Sequence, residues 1–115
     1  MLLSFVFSFR NEEKNIPELV TQVTAAIEGL SDLTHEMIFV NDDSTDRSFE
    51  VLTELQKTHP ITIINMARRF GVTPCVLAGF AQAKGEATIY MDTDLQDPPD
   101  LIPQMIERYL AGAEV

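Results

Sequence analysis

A chain of 115 residues, 45 % apolar and 23 % charged, has room for one soluble domain with a buried core and not for two. Its formal net charge of −10, from 18 acidic against 8 basic residues, argues against a nucleic-acid backbone or an anionic membrane surface as its main partner. No stretch approaches the ~20 consecutive apolar residues of a membrane span, and a single cysteine, Cys75, excludes an internal disulfide and suits a reducing cytoplasm.

Leu2 to Phe9 is an apolar run interrupted only by serines, the pattern of a strand buried on both faces. It lacks the basic start and small-residue cleavage site of a signal peptide. Asn15 predicts a helix cap with Pro17 in the first turn, and Ile16, Leu19, Val20, Val23, Ile27 and Leu30 follow at helical spacing. Met37 to Val40 predicts a second strand, ending at Asn41-Asp42-Asp43. A second helix is expected from about Ser48 to Thr58, with Phe49, Leu52 and Leu55 on one side and His59-Pro60 stopping it. Ile61 to Met66 predicts the third strand. Thr73 is expected to cap a third helix with Pro74 at its first position and Gly85 just past its end. Ala87 to Met91 predicts a fourth strand running into Asp92. A last helix opens near Pro99 and Asp100, carries Leu101, Ile102, Met105, Ile106, Tyr109 and Leu110, and closes at Gly112.

Four β-α units predict an α/β fold: three layers, α/β/α, around a mainly parallel, Rossmann-like sheet with right-handed crossovers. The common doubly wound order is 3-2-1-4, and ligands then bind beyond the carboxyl ends of strands 1 and 4. Those ends carry Arg10-Asn11-Glu12 and Asp92-Thr93-Asp94. Ala113-Glu114-Val115 reads like the start of a fifth strand, so the expectation is a single domain over 1–115 that is cut before a further half.

The acids Asp92 and Asp94 stand two apart, and extended backbone points such side chains the same way. With Gln96 they offer hard oxygen ligands suited to Mg²⁺ or Mn²⁺ that keeps positions open for phosphate oxygens. An acidic turn capping the last helix through Asp97 or Asp100 explains the same residues. An EF-hand is excluded by spacing: counted from Asp92, Asp97 falls on the required glycine and Pro103 on the required glutamate. A phosphatase-type aspartyl nucleophile is discounted, because that pair belongs after a first strand and here follows the fourth. Asp42 can accept the imide N–H of uracil or the N1–H and amino group of guanine, while Ser44, Thr45 or Asp46 caps the next helix. Glu12 suits a ribose hydroxyl or the base, and Arg68 and Arg69 either approach a diphosphate or lie solvated on the surface. His35 and His59 carry no role, and Cys75 reads as a small packed residue.

Four clusters occur in order: Asn11-Glu12-Glu13, Val40-Asn41-Asp42-Asp43-Ser44-Thr45-Asp46, Arg68-Arg69-Phe70-Gly71, and Asp92-Thr93-Asp94-Leu95-Gln96-Asp97-Pro98-Pro99. Together they resemble the family-two inverting glycosyltransferases with the GT-A fold, and within them polyprenyl-phosphate glycosyltransferases such as dolichol-phosphate mannosyltransferases. The resemblance covers essentially the whole chain, and the stretch from Asp92 to Pro99 is its most specific part. It implies that Ser8, Arg10 and Glu12 surround the nucleotide, where the family reads proline, tyrosine and glutamate. Val40 and Asp42 would contact base and ribose, and Asp92 and Thr93 the donor sugar and ribose. Asp94 and Gln96, with Asp92, would hold the metal, Asp94 being the catalytic residue through that metal. Ser8, Arg10 and Asp43 depart from the family's proline, aromatic and glycine. An arginine plane still stacks on a base, whereas Asp43 needs a turn that tolerates a side chain.

The implied reaction moves a sugar from a UDP- or GDP-sugar with inversion to a polyprenyl phosphate, at the cytoplasmic face of a membrane. No nucleic acid takes part. A non-catalytic nucleotide-binding fragment shares the fold and metal. A sugar nucleotidyltransferase shares the sheet, but it needs a glycine- and lysine-rich loop after strand 1, and Arg10 to Asn15 contains no glycine. The chain by itself is expected to bind a nucleoside diphosphate weakly, to transfer no sugar, and to expose apolar surface near Phe70, Phe80 and Tyr109 that favours self-association.

Overall fold

The computed structural model describes residues 2–28, 33–91, 93 and 104. Strands and helices alternate: β1 (Leu2–Phe9), α1 (Ile16–Glu28), β2 (Thr34–Asn41), α2 (Ser48–Leu55), β3 (Ile61–Asn65), α3 (Val72–Gln82) and β4 (Ala87–Tyr90). All strand pairs are parallel and their order is β3-β2-β1-β4, as expected for a Rossmann-like α/β sheet. The helix expected from Pro99 to Leu110 and the strand expected at Ala113-Glu114-Val115 lie outside the described residues.

The apolar run of β1 is continuous because the strand is central and both of its faces are covered. Phe5, Phe7 and Phe9 join Met37 and Phe39 of β2 in one core beneath α1, with Ile16, Leu19, Val20 and Val23 from the helix. Phe7 stacks on Phe39 at 4.7 Å between ring centres, and Phe9 meets the same ring edge-on at 6.1 Å. On the other face Val6, Ile38 and Val40 pack against α3 through Cys75. Large rings fill one layer and small side chains the other. α3 therefore sits close to the sheet: a Cβ on Gly79 would lie 2.4 Å from a Val6 methyl and 3.2 Å from one of Val40.

This division follows from topology. α1 and α2 connect strands stepping outward from β1, whereas α3 carries the chain back from β3 to β4. Right-handed crossovers in opposite directions place helices on opposite faces. The reversal falls between β1 and β4.

Several element ends differ from expectation. β2 begins at Thr34, three residues before Met37, because Thr34, His35 and Glu36 pair with Leu2, Leu3 and Ser4 despite their polarity. The Glu36 carboxylate accepts from the Ser4 hydroxyl at 2.6 Å and from the Lys84 amide at 2.7 Å, so its burial is compensated. α2 stops at Leu55 rather than near Thr58, since Lys57 and Thr58 bond back three residues to Glu54 and Leu55 in a tightened turn. Phe49 is 43 % exposed instead of joining Leu52, and Ser48 takes the inward position. β3 and β4 each end one residue early, at Asn65 and Tyr90.

α3 opens at Val72 with Gly71 at the cap position, so Thr73 and Pro74 fall inside its first turn and Thr73 is not the cap. Pro74 is tolerated there because first-turn N–H groups have no helical partner. Gly85 stands three residues beyond the helix end, not at its cap. Its reason is close approach: a Cβ would meet the Ser4 nitrogen at 2.7 Å and the Leu2 carbonyl at 2.9 Å.

Asp43, where the family pattern has glycine, adopts φ 60°. Left-handed backbone strains most residues by roughly 1–2 kcal/mol, and Asp somewhat less. The side chain is exposed, so backbone conformation dominates any exchange there. Asp43→Gly is expected to leave stability unchanged or raise it by up to ~1 kcal/mol, and Asp43→Val to lower it by roughly 1–2 kcal/mol. Urea unfolding of both variants checks this; a Val variant as stable as the Gly variant would contradict it.

Candidate functional site

The carboxyl ends of β1, β2 and β4 and the loop from β3 into α3 converge on a cavity of about 240 Å³. The end of β1 contributes Ser8, Phe9, Arg10 and Glu12; the end of β2 contributes Asp42; the loop and the start of α3 contribute Arg69, Gly71 and Val72; Tyr90 and Thr93 close the β4 side. The cavity lies where the sheet order reverses. A second hollow of about 470 Å³ runs beside α2, against Glu13, Arg47, Glu50, Val51 and Glu54. It is larger, but three of its four charged side chains are carboxylates and it meets no strand end in the sheet. The first is therefore the better site.

Of the residues singled out from sequence, Ser8, Arg10, Glu12, Asp42 and Thr93 stand together on the cavity wall. Val40 is fully buried under α3 and is not on that wall. Thr93 is buried, and its neighbours Asp92 and Asp94, with Gln96, lie outside the described residues. Among the described residues no cluster of three His, Cys, Asp or Glu side chains is placed to hold a metal.

A hydrogen-bonded hinge fixes the β1 and β2 loops to one another. Asn11, held at φ 58°, accepts the Thr45 amide at 2.7 Å and the Asp46 amide at 3.2 Å through Oδ1. Its own amide donates to Ser44 Oγ at 3.0 Å. The Glu12 amide donates to Ser48 Oγ, and the Glu13 amide to Asp46 Oδ2 at 3.2 Å. Asp46 also accepts the Ser48 amide and hydroxyl, at 3.0 and 2.6 Å, while Arg47 occupies the cap position of α2. Asp46 thus serves the helix start, as expected, and ties two loops as well. Asn15, expected to cap α1, instead turns its side-chain amide to Glu12 Oε2 at 2.8 Å, orienting that carboxylate.

Asp42 anchors the third loop. Oδ1 accepts the Phe70 amide at 2.7 Å and Oδ2 the Gly71 amide at 3.0 Å. Gly71 adopts φ 94°, a conformation that disfavours any side chain. The carboxylate thereby holds the start of α3 and sets Arg69 on the cavity rim. Arg68 instead lies over the Phe70 ring at 4.6 Å from its centre. At the cavity wall the Arg10 Nε–H is buried without a partner among the described residues. Such a donor calls for an acceptor oxygen, and the cavity is where a ligand would bring one.

Burial pushes the Asp42 carboxyl up, but the Phe70 and Gly71 amides, the Cys75 thiol and the Arg69 charge outweigh it and hold it below its usual 3.8. Burial likewise pushes the Asp46 carboxyl up, but the Ser48 and Glu13 donors outweigh it and hold that group below 3.8 as well. Burial first, then the Asp42 carboxylate, pushes the Cys75 thiol up to about 11, so it remains a protonated donor at neutral pH. For both acids the folded-state value is below the unfolded one. Their ionised forms therefore stabilise the fold above the unfolded value, and that stabilisation is lost as pH falls through the lower folded values. Asp46→Asn removes one such group. As pH falls from about 5 through the lowered folded value, it is expected to lose less stability than the parent. Parallel acid-unfolding curves would contradict this.

The fold and the cavity define an α/β protein with a polar ligand crevice at the switch point of a parallel sheet. Residues 4–115 match the family model described as Glycosyl transferase family 2, and the chain belongs to that family. It is 35 % identical over 115 residues to the dolichol-phosphate mannosyltransferase of Pyrococcus furiosus, covering 100 % of this chain and 32 % of that protein. It is 35 % identical to the undecaprenyl-phosphate 4-deoxy-4-formamido-L-arabinose transferase of Aeromonas hydrophila, over 99 % of this chain and 35 % of the relative. The chain thus spans about a third of the length of these curated relatives.

Solved structures share the fold. TarS 1-349 of S. aureus, in complex with UDP-GlcNAc, superposes with a TM-score of 0.72 at 20 % identity, over 96 % of this chain and 30 % of that one. The mannosyltransferase PcManGT of Pyrobaculum calidifontis, in complex with GDP-Man and Mn²⁺, gives 0.63 at 20 % identity, over 84 % and 32 %. The fold is that of the GT-A glycosyltransferases. No helix of the described residues is long and apolar enough to cross a membrane.

Proposed function

We propose that this chain binds the nucleoside diphosphate of a sugar donor, for an enzyme that transfers the sugar with inversion to a polyprenyl phosphate at the cytoplasmic face of a membrane. The observation that carries the reading is the convergence of Ser8, Arg10, Glu12, Asp42 and Thr93 on one cavity at the switch point. The names of the curated relatives support the acceptor class, since two of them are transferases named for dolichol phosphate and undecaprenyl phosphate.

In this reading Asp42 accepts from the base, and Glu12, already turned by Asn15, takes a ribose hydroxyl. Arg10 gives its unpartnered Nε–H to a ligand oxygen or lays its guanidinium on the base. Val40 acts from below, packing against Gly79 and so fixing the strand end that presents Asp42. By the family resemblance, Asp92 and Thr93 would contact the donor sugar and ribose. The acceptor's phosphate oxygen, an anion at neutral pH because the second phosphate pKa is about 6, bonds to the anomeric carbon from the face opposite the leaving group. The glycosidic C–O bond breaks with its electron pair departing on the nucleoside diphosphate, and no general base is required.

The described wall carries two cations, Arg10 and Arg69, against two carboxylates, Glu12 and Asp42. A diphosphate would find no net compensation there. The hard oxygen donors of Asp92, Asp94 and Gln96 suit Mg²⁺ or Mn²⁺, which would supply that charge to the leaving diphosphate. Titrating a nucleoside diphosphate with Mn²⁺ and again after EDTA tests this. A loss of at least about tenfold in affinity is expected, and equal affinity in both conditions would sink the metal-dependent reading.

A further inference from the structure

We infer that the outer face of α3 lies on an anionic lipid leaflet, starting from the rim of the cavity. The inference rests on the proposed reading, whose acceptor is a lipid phosphate. α3 carries no charged residue from Val72 to Gln82. A helix without a charged face belongs between two partners, and the sheet supplies one of them. Cys75 and Gly79 are buried against it, whereas Leu77 and Val72 on the outer side are 64 % and 61 % exposed. Phe70 and Phe80 stand exposed beside them, and Phe49 on α2 is the one other large apolar side chain exposed among the described residues. A contiguous apolar patch of this kind marks a contact surface.

Charge identifies the partner. The chain has 18 acidic residues, yet none falls between Thr58 and Gly85, and three of its 8 basic residues, Arg68, Arg69 and Lys84, lie in that stretch. All three are exposed, two ahead of α3 and one just past its end. The carboxylates behind this face are engaged: Asp42 accepts the Phe70 and Gly71 amides, and Glu36 the Lys84 amide. Glu86 follows only beyond Gly85. A second copy of the chain is the poorer occupant, because an isologous contact sets the same cations against one another with no acid to meet them. Phe and Leu flanked by Lys and Arg seat instead in the headgroup boundary of an anionic leaflet, where each cation adds attraction. Acids elsewhere on the chain are repelled by that leaflet, which confines contact to this face. Arg69 and Val72 also line the cavity, so a lipid phosphate held here lies beside the donor site.

Co-sedimentation of the full chain with vesicles of phosphatidylcholine and phosphatidylglycerol tests the inference, with pure phosphatidylcholine vesicles as the comparison. Binding to the mixed vesicles is expected, about tenfold stronger than to the neutral ones and weakened by salt. Leu77→Glu and Phe80→Glu are each expected to lower it by about tenfold while keeping the parent's circular dichroism. No binding by the parent, equal binding to neutral vesicles, or unchanged binding by both variants would overturn the lipid contact. A parent that is dimeric by light scattering and made monomeric by Leu77→Glu would give the face to a second copy instead. A Leu77→Glu chain that unfolds would show that the face is covered within the fold, which also overturns the inference. Titration of the same samples with UDP in Mn²⁺ separates the two readings. UDP binding without vesicle binding overturns the lipid face alone, and vesicle binding without UDP binding overturns the nucleotide reading alone.

Discussion

Exchanging Asp94 for Asn is expected to lower affinity for a nucleoside diphosphate in Mn²⁺ by about a hundredfold, with little change in stability. Replacing a carboxylate ligand removes a charge and a hard oxygen donor at once, whereas altering the partners of a ligand already costs about 10–100-fold in metal affinity. Asp46→Asn is the matched control, one acid exchanged for one amide. Its carboxylate is spent on the Ser48 amide and hydroxyl and on the Glu13 amide. Its loss should act on the fold, by about 1–2 kcal/mol, and leave ligand affinity within about threefold. Calorimetric titration and urea unfolding of the two variants separate the effects. Abolished binding in a folded Asp46 variant, with an intact Asp94 variant, would reverse the roles given to these acids.

Asp42→Ala is expected to act on both quantities. The carboxylate satisfies the Phe70 and Gly71 amides, and a hydrogen bond to a charged acceptor is worth about 1.5–3 kcal/mol. Because part of this loop is exposed, water will replace some of what is lost, so a destabilisation of about 2–3 kcal/mol is expected. Affinity for the nucleotide should fall more than about tenfold, since the base loses its acceptor and Arg69 loses its fixed place on the rim. Amide exchange at Phe70 and Gly71 should accelerate well beyond exchange in β1. A variant with unchanged exchange at these two positions would show that Asp42 does not hold the loop.

The order of the sheet was legible because each strand is a compact apolar run and each helix has a cap or proline near its start. Buried central strands need no alternation, and Leu2 to Phe9 shows none. Legibility failed where a contact spans distant loops. Nothing local in Asn11 announces that its side chain will take two amides 34 and 35 residues away. The only hint is that Asn tolerates left-handed backbone better than most residues. Gly85 was misread for a related reason: a glycine near a helix end suggests a cap, while the actual constraint is a strand passing beneath it. The start of β2 was missed because polar residues that pair at the edge of a core look like loop until Ser4 is known to lie opposite Glu36.

For the site, the clusters at the ends of β1 and β2 were readable from position alone once the strand order was inferred. The departure at Asp43 marked the turn without fixing its geometry, and the backbone there adopts φ 60° with the side chain in place. The engagement of Asp42 by the Phe70 and Gly71 amides was not. Sequence offered that carboxylate to a ligand without showing that each of its oxygens already holds a main-chain amide.

The central claim is that a nucleoside diphosphate occupies the cavity at the ends of β1 and β4. Isotope-labelled chain titrated with UDP and Mg²⁺, and followed by amide chemical shifts, locates the ligand directly. The predicted result is a set of perturbed amides around Arg10, Glu12, Asp42, Gly71 and Thr93, with Arg47, Glu50 and Glu54 beside α2 unmoved. Perturbations centred on the α2 hollow, or none at saturating ligand, would contradict it.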